Sequence, residues 1–154
     1  MNPQAAKTTW IVVADGMHAR FLRYRPGEKL TPAVEPELYD PAVHGRSLDL
    51  KSDHPGRAID PGSGAHHTIE PRHDPHTYEK QRFAGKIADV INAAAARKEF
   101  DRLVIAAPPK TLGDLRKALD KHAAALVVAE VHRDLIKTPA AELLAHFTDA
   151  LARY

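Results

Sequence analysis

Short apolar runs recur along the chain at a length that suits buried strands. Residues 8–14, 102–107 and 126–131 are apolar or β-branched almost throughout, which is typical of strands covered on both faces. Amphipathic helical patterns separate the later runs, and strands joined through helices become parallel neighbours. The pattern therefore predicts a sheet whose later strands are parallel and buried.

The segment after the first run predicts a meander. Asp15-Gly16 is a turn signal, and residues 19–25 then mix apolar with basic positions, as a strand exposed on one face does. Residues 33–39 predict a third strand, which we expect at the sheet edge because Pro36 cannot donate a backbone hydrogen bond. The first strands are thus expected to be antiparallel.

The longest helical pattern begins at Asp74-Pro75. Asp is a good N-cap, and proline fits the first helical position because its missing N–H would have no partner there. The pattern predicts a helix that ends near Arg97 or Lys98, after about 22 residues or roughly 33 Å. The inward apolar stripe consists of Phe83, Ile87, Val90, Ile91 and Ala94.

Two shorter helices are predicted further on. Thr111 and Asp114 have the spacing of a capping box, and Thr138-Pro139 is expected to cap the last helix. The inward residues are Leu112, Leu115 and Leu119 in the first helix, and Leu143, Leu144, Phe147 and Leu151 in the second. The predicted fold class is α/β, a mixed β-sheet flanked by helices, in a single domain over residues 1–154.

Composition narrows the class of protein. A length of 154 residues suits one domain, and 44% hydrophobic with 27% charged residues is ordinary for a globular protein. The absence of cysteine excludes disulfides and thiolate chemistry, and a net charge of +2 gives no general argument for nucleic acid or membrane. Since no apolar run has the length of a membrane span or signal-peptide core, we expect a cytoplasmic protein without a membrane partner.

A long Gly/Pro/His-rich loop, at about 41–75, precedes the long helix. Irregular loops of this length are uncommon in small domains and are usually functional or disordered. The stretch 53–83 holds five of the ten histidines and three of the eight glycines, and a short strand is expected within it at 66–70. A polar loop that leads into a helix N-terminus is where we expect the function.

The histidines of this loop are the first candidate groups. The candidate catalytic residues are His66, His67, His73 and His76. Imidazoles next to Asp74 and Glu79 also suit a transition metal, but no HExxH or comparable spacing occurs, so we assign no metal and no cofactor. His76 and Glu79 are three positions apart and continue the inward stripe of the helix. The alternative is that the histidines hydrogen-bond the backbone and cap the helix.

The same region is a candidate anion- or RNA-binding site. The first turn of the helix offers free N–H groups and a positive dipole end, and glycines allow a phosphate close to the backbone. The candidate residues are Arg57, Gly62, Ser63, Gly64, Arg72 and Lys80. Residues 44–82 hold six Lys or Arg and six Asp or Glu, which argues against a simple basic patch and leaves solvated surface charges as the alternative.

Two other patterns favour structural roles. Ser63 has histidines and aspartates near it, but the strand–turn–helix elbow of G-x-S-x-G hydrolases is absent, so a catalytic triad is not predicted. Asp15 and Asp101 follow or precede predicted strands, where we expect turn-forming side chains rather than a cleft.

Three motifs occur in order: W-I-x-x-A-D-G at 10–16, D-P-H-x-x-E-K-x-R-F at 74–83 and A-P-P-x-T-L-G-x-L-R at 107–116. Through these motifs and their surroundings, from about Thr8 to Leu151, the sequence resembles the bacterial family of host attachment proteins. The family label, "protein required for attachment to host cells", records a phenotype and no mechanism.

The resemblance implies a remote similarity to the central domain of archaeo-eukaryotic peptide-chain release factors, which has an RNase H-like topology. There a glycine-rich loop that ends in glutamine precedes a long helix and enters the peptidyl transferase centre. The loop Gly62-Ser63-Gly64 is similar in layout, but the only glutamines are Gln4 and Gln81, so the Gly-Gly-Gln motif is absent. The resemblance therefore implies ribosome or tRNA binding without the hydrolysis of peptidyl-tRNA.

The sequence predicts a cytoplasmic protein that binds the ribosome, RNA or a protein partner through the loop and helix start at 53–80. The alternative is a hydrolase on a phosphate-bearing or RNA substrate that uses the loop histidines, with or without metal. A third reading is an adhesion role, direct or regulatory. The oligomeric state is left open because the last helix fits packing on the sheet or on a second subunit.

Overall fold

The computed structural model describes residues 7–41 and 75–153. Within these ranges the chain forms six strands and four helices. The strands are β1 (Thr9–Ala14), β2 (His18–Tyr24), β3 (Thr31–Pro32), β4 (Leu38–Tyr39), β5 (Arg102–Ala106) and β6 (Val127–Val131). The helices are α1 (Pro75–Ala96), α2 (Pro109–Ala118), α3 (Lys121–Ala125) and α4 (Ala140–Arg153).

The strands form one mixed sheet in the order β3-β2-β1-β5-β6, and β4 also pairs with β2. β1 is antiparallel to β2 and parallel to β5, which is in turn parallel to β6. Thr9, at the start of β1, lies opposite Tyr24 on one side and Arg102 on the other. The α/β class and the mixed sheet predicted from the sequence are confirmed.

Helices cover both faces of this sheet. α1 packs on one face through Phe83, Ile87 and Ile91, and α2 and α3 add residues to the same core cluster. α4 covers the opposite face, where Leu143 and Phe147 are fully buried. The apolar pattern of α4 therefore packs on the sheet of its own chain.

The long helix is confirmed over 22 residues. Its N-terminal residue is Pro75, as the Asp-Pro signal predicts. At the other end Lys98 adopts a φ of 58°, and the Glu99 N–H donates to the Ala94 carbonyl at 3.0 Å. A left-handed residue after the last turn satisfies carbonyls that the helix leaves open, and so ends it.

The predicted edge strand at 33–39 is wrong as one continuous strand. It is replaced by the two short strands β3 and β4, each of two residues and each paired with β2. Pro36 lies between them and has no N–H to donate to a ladder. The edge position itself is confirmed.

The capping box predicted at Thr111 is also wrong. The N-cap of α2 is Pro108, whose side chain makes no cap hydrogen bond, and Pro109 begins the helix. Helix α3 was not predicted; its N-cap Asp120 accepts a hydrogen bond from the Ala123 N–H at 2.8 Å. Five residues are too few to show a helical period, so only the Asp120 cap was a readable signal.

The single domain over 1–154 stays a prediction, and the loop at 41–75 lies almost wholly outside the described residues, together with the strand expected at 66–70. Among the helices in the described ranges, none combines the length and apolar character needed to cross a bilayer.

Candidate functional site

The first turns of α1 lie against the carboxyl end of β1. The aliphatic chain of Lys80 covers Gly16, which is the second residue after the strand. A Cβ atom added to Gly16 would lie 2.9 Å from Lys80 Cε and 3.0 Å from Lys80 Cδ. Only glycine therefore admits the lysine side chain in this position.

The turn that receives Lys80 is shaped by Asp15. Its Oδ1 accepts hydrogen bonds from the backbone N–H groups of Met17, at 2.8 Å, and His18, at 2.7 Å. A carboxylate that bonds the backbone two and three residues ahead forms a compact turn. The turn-forming role predicted for Asp15 is confirmed. Asp101 has a comparable structural role, since its Oδ2 accepts from the Thr8 N–H at 2.8 Å.

Charged side chains around the start of α1 occur as pairs. Glu79 is only 4% exposed and lies 3.6 Å from Arg82 Nη1, and Lys86 Nζ lies 3.3 Å from Asp40 Oδ2. The inward position predicted for Glu79 is confirmed. These pairs agree with the balanced charge count of the sequence, and they leave no single-sign field in this part of the described surface.

An exposed aromatic side chain stands beside these pairs. Tyr78 is 57% exposed, and the other large exposed apolar side chain among the described residues is Tyr39, at 55%. Tyr39 is engaged edge-on by His18, with ring centroids 5.9 Å apart. Tyr78 has no described ring contact, so its face is open to a flat partner.

The topology brings two helix N-termini to the same edge of the sheet. α1 runs antiparallel to β1 and β5, so it begins where those strands end, and α2 begins directly after β5. After β1 the chain continues to β2 on one side of the β1–β5 pair, and after β5 it continues to β6 on the other side. Open α/β sheets bind their ligands where the connections from neighbouring strands run in opposite directions. We call the turn at 15–18 with residues 78–86 the carboxyl-edge surface.

One ion pair fastens α2 to the sheet. Arg116 Nε donates to both carboxylate oxygens of Glu130 at 3.1 Å, and a further short hydrogen bond runs from Arg116 Nη2. The hydrogen bonds from Arg116 hold the pKa of Glu130 below its usual value, and those to Glu130 raise the pKa of Arg116 above its own.

Most of the predicted site residues lie outside the described residues. This holds for His66, His67, His73, Arg57, Gly62, Ser63, Gly64 and Arg72. His76 is placed in the first turn of α1 by its backbone, and Lys80 is the one predicted site residue whose side chain is described. Within the described ranges, no three His, Asp or Glu side chains group in a way that would hold a metal ion.

Two features were not predicted from the sequence. Tyr78 is not part of the apolar stripe of α1, and this position indicates from the sequence that its ring is exposed. Arg102 begins a buried strand, where a cation needs a hydrogen-bond or ion-pair partner, and the sequence pattern does not indicate one. Arg102 is the first residue of β5 and thus lies at the opposite end of that strand from the carboxyl-edge surface.

The family model described as "Protein required for attachment to host cells" matches residues 10–147. No curated protein matches the chain at a significant level.

Proposed function

This chain belongs to the family of proteins required for attachment to host cells, and we propose that it is a cytoplasmic protein that binds the RNA of the ribosome or tRNA through residues 53–80. The position of Lys80 on Gly16 carries this proposal, because it seats the end of that stretch at the carboxyl edge of the sheet. Ligands of open α/β sheets bind at that edge.

The chemistry of the described part suits a nucleic acid strand. A helix N-terminus offers a positive dipole end to a phosphate, and Lys80 follows five residues after the start of α1 at Pro75. Tyr78 offers an open ring on which a base can stack. The charges of Arg82 and Lys86 are largely balanced by Glu79 and Asp40, so a basic patch does not carry the binding. It depends instead on the start of α1, Lys80 and Tyr78.

The sheet order supports an RNase H-like topology of the release-factor central-domain kind as part of the proposal. An antiparallel meander of β1, β2 and β3 is followed by β5 and β6, which add in parallel on the other side of β1. The first two crossover connections both place their helices on the same face. The missing Gly-Gly-Gln motif keeps peptidyl-tRNA hydrolysis out of the proposal.

The hydrolase alternative receives no support from the described residues. Of its four histidines, only His76 lies in a described element, and its side chain is not among the described ones. The link to host attachment is proposed to be indirect, through an effect on translation. Digestion of intact cells with an added protease tests it: the protein should stay uncut, whereas cleavage would favour a surface adhesin.

Co-sedimentation with ribosomes at low salt tests the binding. Lys80→Ala should weaken binding and reduce the slope of log affinity against log salt by about 1, because one phosphate contact is lost. Arg57→Ala and Arg72→Ala should act in the same direction. Lys117→Ala is the matched control, since Lys117 is an exposed lysine near the far end of α2. Equal losses of ribosome binding in Lys80→Ala and Lys117→Ala would mean that the effect comes from non-specific charge.

Gly16→Ala separates the position of Lys80 from its charge. The new Cβ forces the flexible lysine chain aside while folding stability changes little, by less than about 1 kcal/mol. We expect ribosome binding to fall as far as it does in Lys80→Ala. Retained binding in Gly16→Ala would contradict the assignment of this contact. If neither the wild type nor any variant sediments with ribosomes, the proposed function itself is rejected.

A further inference from the structure

The two edges of the sheet are built differently. At one edge β3 and β4 are only two residues long. Pro32 belongs to β3, and Glu35, Pro36 and Glu37 lie between the two strands. Short strands, prolines and charged side chains keep the edge of a sheet from pairing with another chain. This edge is therefore protected.

The opposite edge, β6, is longer and more apolar. Its sequence is Val-Val-Ala-Glu-Val, without proline or lysine. Among the strands of the described ranges it pairs with β5 alone. All residues of β6 are half-exposed, whereas every residue of β5 is buried. β6 thus has the composition of an interior strand but lies at an edge.

The charged side chain of β6 already has a partner. Arg116 Nε lies 3.1 Å from both carboxylate oxygens of Glu130, so the carboxylate is held against α2. A charge that is paired in this way repels an incoming strand less than a free one does. The register shift of β6 lies near its start, between Val127 and Ala129, and the pairing with β5 is regular from Ala129 to Val131. The second half of β6 is therefore a regular edge whose charge is balanced.

The direction of the backbone groups follows from one hydrogen bond. The Val131 carbonyl accepts from the Ala107 N–H at 3.0 Å, so the backbone groups of Val131 face the β5 side. Successive residues of a strand direct these groups to opposite sides, so Ala129 also faces β5 and Glu130 directs its N–H and C=O outward. Outward backbone groups of an edge strand are complementary to those of another strand.

We propose that β6 pairs with β6 of a second copy of this chain, antiparallel about a two-fold axis at Ala129, and so joins the two sheets into one. The position of the axis follows from charge and size. An axis at Glu130 would put two carboxylates directly opposite each other, which is unfavourable. An axis at Ala129 places Glu130 opposite Val128 of the partner subunit, and it places the smallest side chain of the strand where the two strands approach most closely.

A second copy fits this edge because the assembly is closed. A two-fold pair uses the β6 edge of each copy, and the sheet then ends on both sides at the protected edge formed by β3 and β4. Assembly therefore stops at two copies instead of continuing into a fibre. A strand from another protein would form the same kind of ladder but would leave this chain without a dimer. The proposal does not depend on RNA binding.

Sedimentation velocity of the full chain tests the assembly. One short ladder is a small interface, so we expect a reversible dimer with a Kd on the order of 10–100 µM. Ala129→Lys puts two ammonium groups opposite each other at the axis and should weaken the dimer at least about tenfold. Thr31→Lys makes a comparable change at an exposed position of the protected edge and should leave the dimer unchanged.

A second pair of variants separates the backbone of β6 from its charge. Glu130→Pro removes an outward N–H and should abolish the dimer, whereas Glu130→Gln keeps that N–H and should retain it. Equal dimerisation of Glu130→Pro and Glu130→Gln would contradict the ladder. A wild type that stays monomeric at about 1 mM would overturn the proposal.

A cysteine at the axis locates the contact, because the chain has no cysteine of its own. Opposite residues of a non-hydrogen-bonded antiparallel pair lie about 4.5 Å apart at Cα, which a disulfide can span. Ala129→Cys should therefore form a covalent dimer on mild oxidation, while Thr31→Cys, at the protected edge, should stay largely monomeric on a non-reducing gel. No covalent dimer of Ala129→Cys, or equal cross-linking of Thr31→Cys, would overturn the proposal.

Discussion

Charged side chains at the two ends of β1 and β5 differ in whether they have a partner. At the carboxyl end, Glu79 is paired with Arg82, and the aliphatic chain of Lys80 covers Gly16. At the amino end, Arg102 is buried beside Thr9 with an Nη1 that has no described partner. The same two strands thus begin at an unmatched cation and end at a surface of matched charges.

This difference shows how burial changes the cost of a charge. A charge that has an ion-pair partner within the chain is satisfied by that partner, so it gives weak information about function. A buried, unpaired cation has a cost that something must offset. At the carboxyl edge the information comes instead from the seating of Lys80 and from the open ring of Tyr78.

The largest effect should come from removing the anchor of the carboxyl edge. Phe83 is 1% exposed and lies one helical turn after Lys80, so Phe83→Ala leaves a cavity under the start of α1. We expect a loss of about 3–5 kcal/mol in the free energy of unfolding, measured by urea denaturation. The exposed Tyr78→Ala should change it by less than about 0.5 kcal/mol. A loss below about 1 kcal/mol in Phe83→Ala would mean that the core does not hold the carboxyl edge in place.

A smaller effect should separate the two exposed tyrosines. Tyr78→Ala should lower ribosome affinity by about 1–3 kcal/mol, because one stacked base loses its platform. Tyr39→Ala removes an equally exposed ring that lies outside the stretch 53–80 and already contacts His18. Co-sedimentation should therefore be nearly normal for Tyr39→Ala. Equal losses in both variants would extend the binding surface beyond that stretch.

The smallest effect concerns a matched pair. Arg116 lowers the pKa of Glu130, so the pair stabilises the fold above the ordinary glutamate pKa of about 4.3 and loses this effect as the pH falls through the lowered pKa. Wild type should melt slightly above Glu130→Gln at pH 7, and the gap should close as the pH falls below the ordinary range of a glutamate and through the lowered pKa of Glu130. Glu99→Gln, which breaks a local pair with Arg97, controls for the loss of a surface carboxylate. A gap that persists in acid, once the carboxyl of Glu130 is protonated, would assign the effect to packing.

Local patterns predicted the elements that are long or strongly periodic. The start of α1 at Pro75, the burial of β1 and the inward position of Glu79 all follow from residue spacing. The edge strands and α3 failed because segments of two to five residues carry too little periodicity. Lys80 is the predicted site residue whose side chain is described, and its contact with Gly16 could not be predicted from the sequence.

The sequence by itself determined the α/β class, the family and the charge balance of the stretch 44–82, because composition, spacing and short motifs are local properties. Only the tertiary structure decided that Lys80 lies over Gly16 and that Arg102 meets Thr9 across 93 residues of chain. Which side chains meet across neighbouring strands depends on the pairing register, and the register comes from the packing of the whole sheet. The missing hydrogen-bond partner of Arg102 Nη1 likewise follows from its neighbours in the fold.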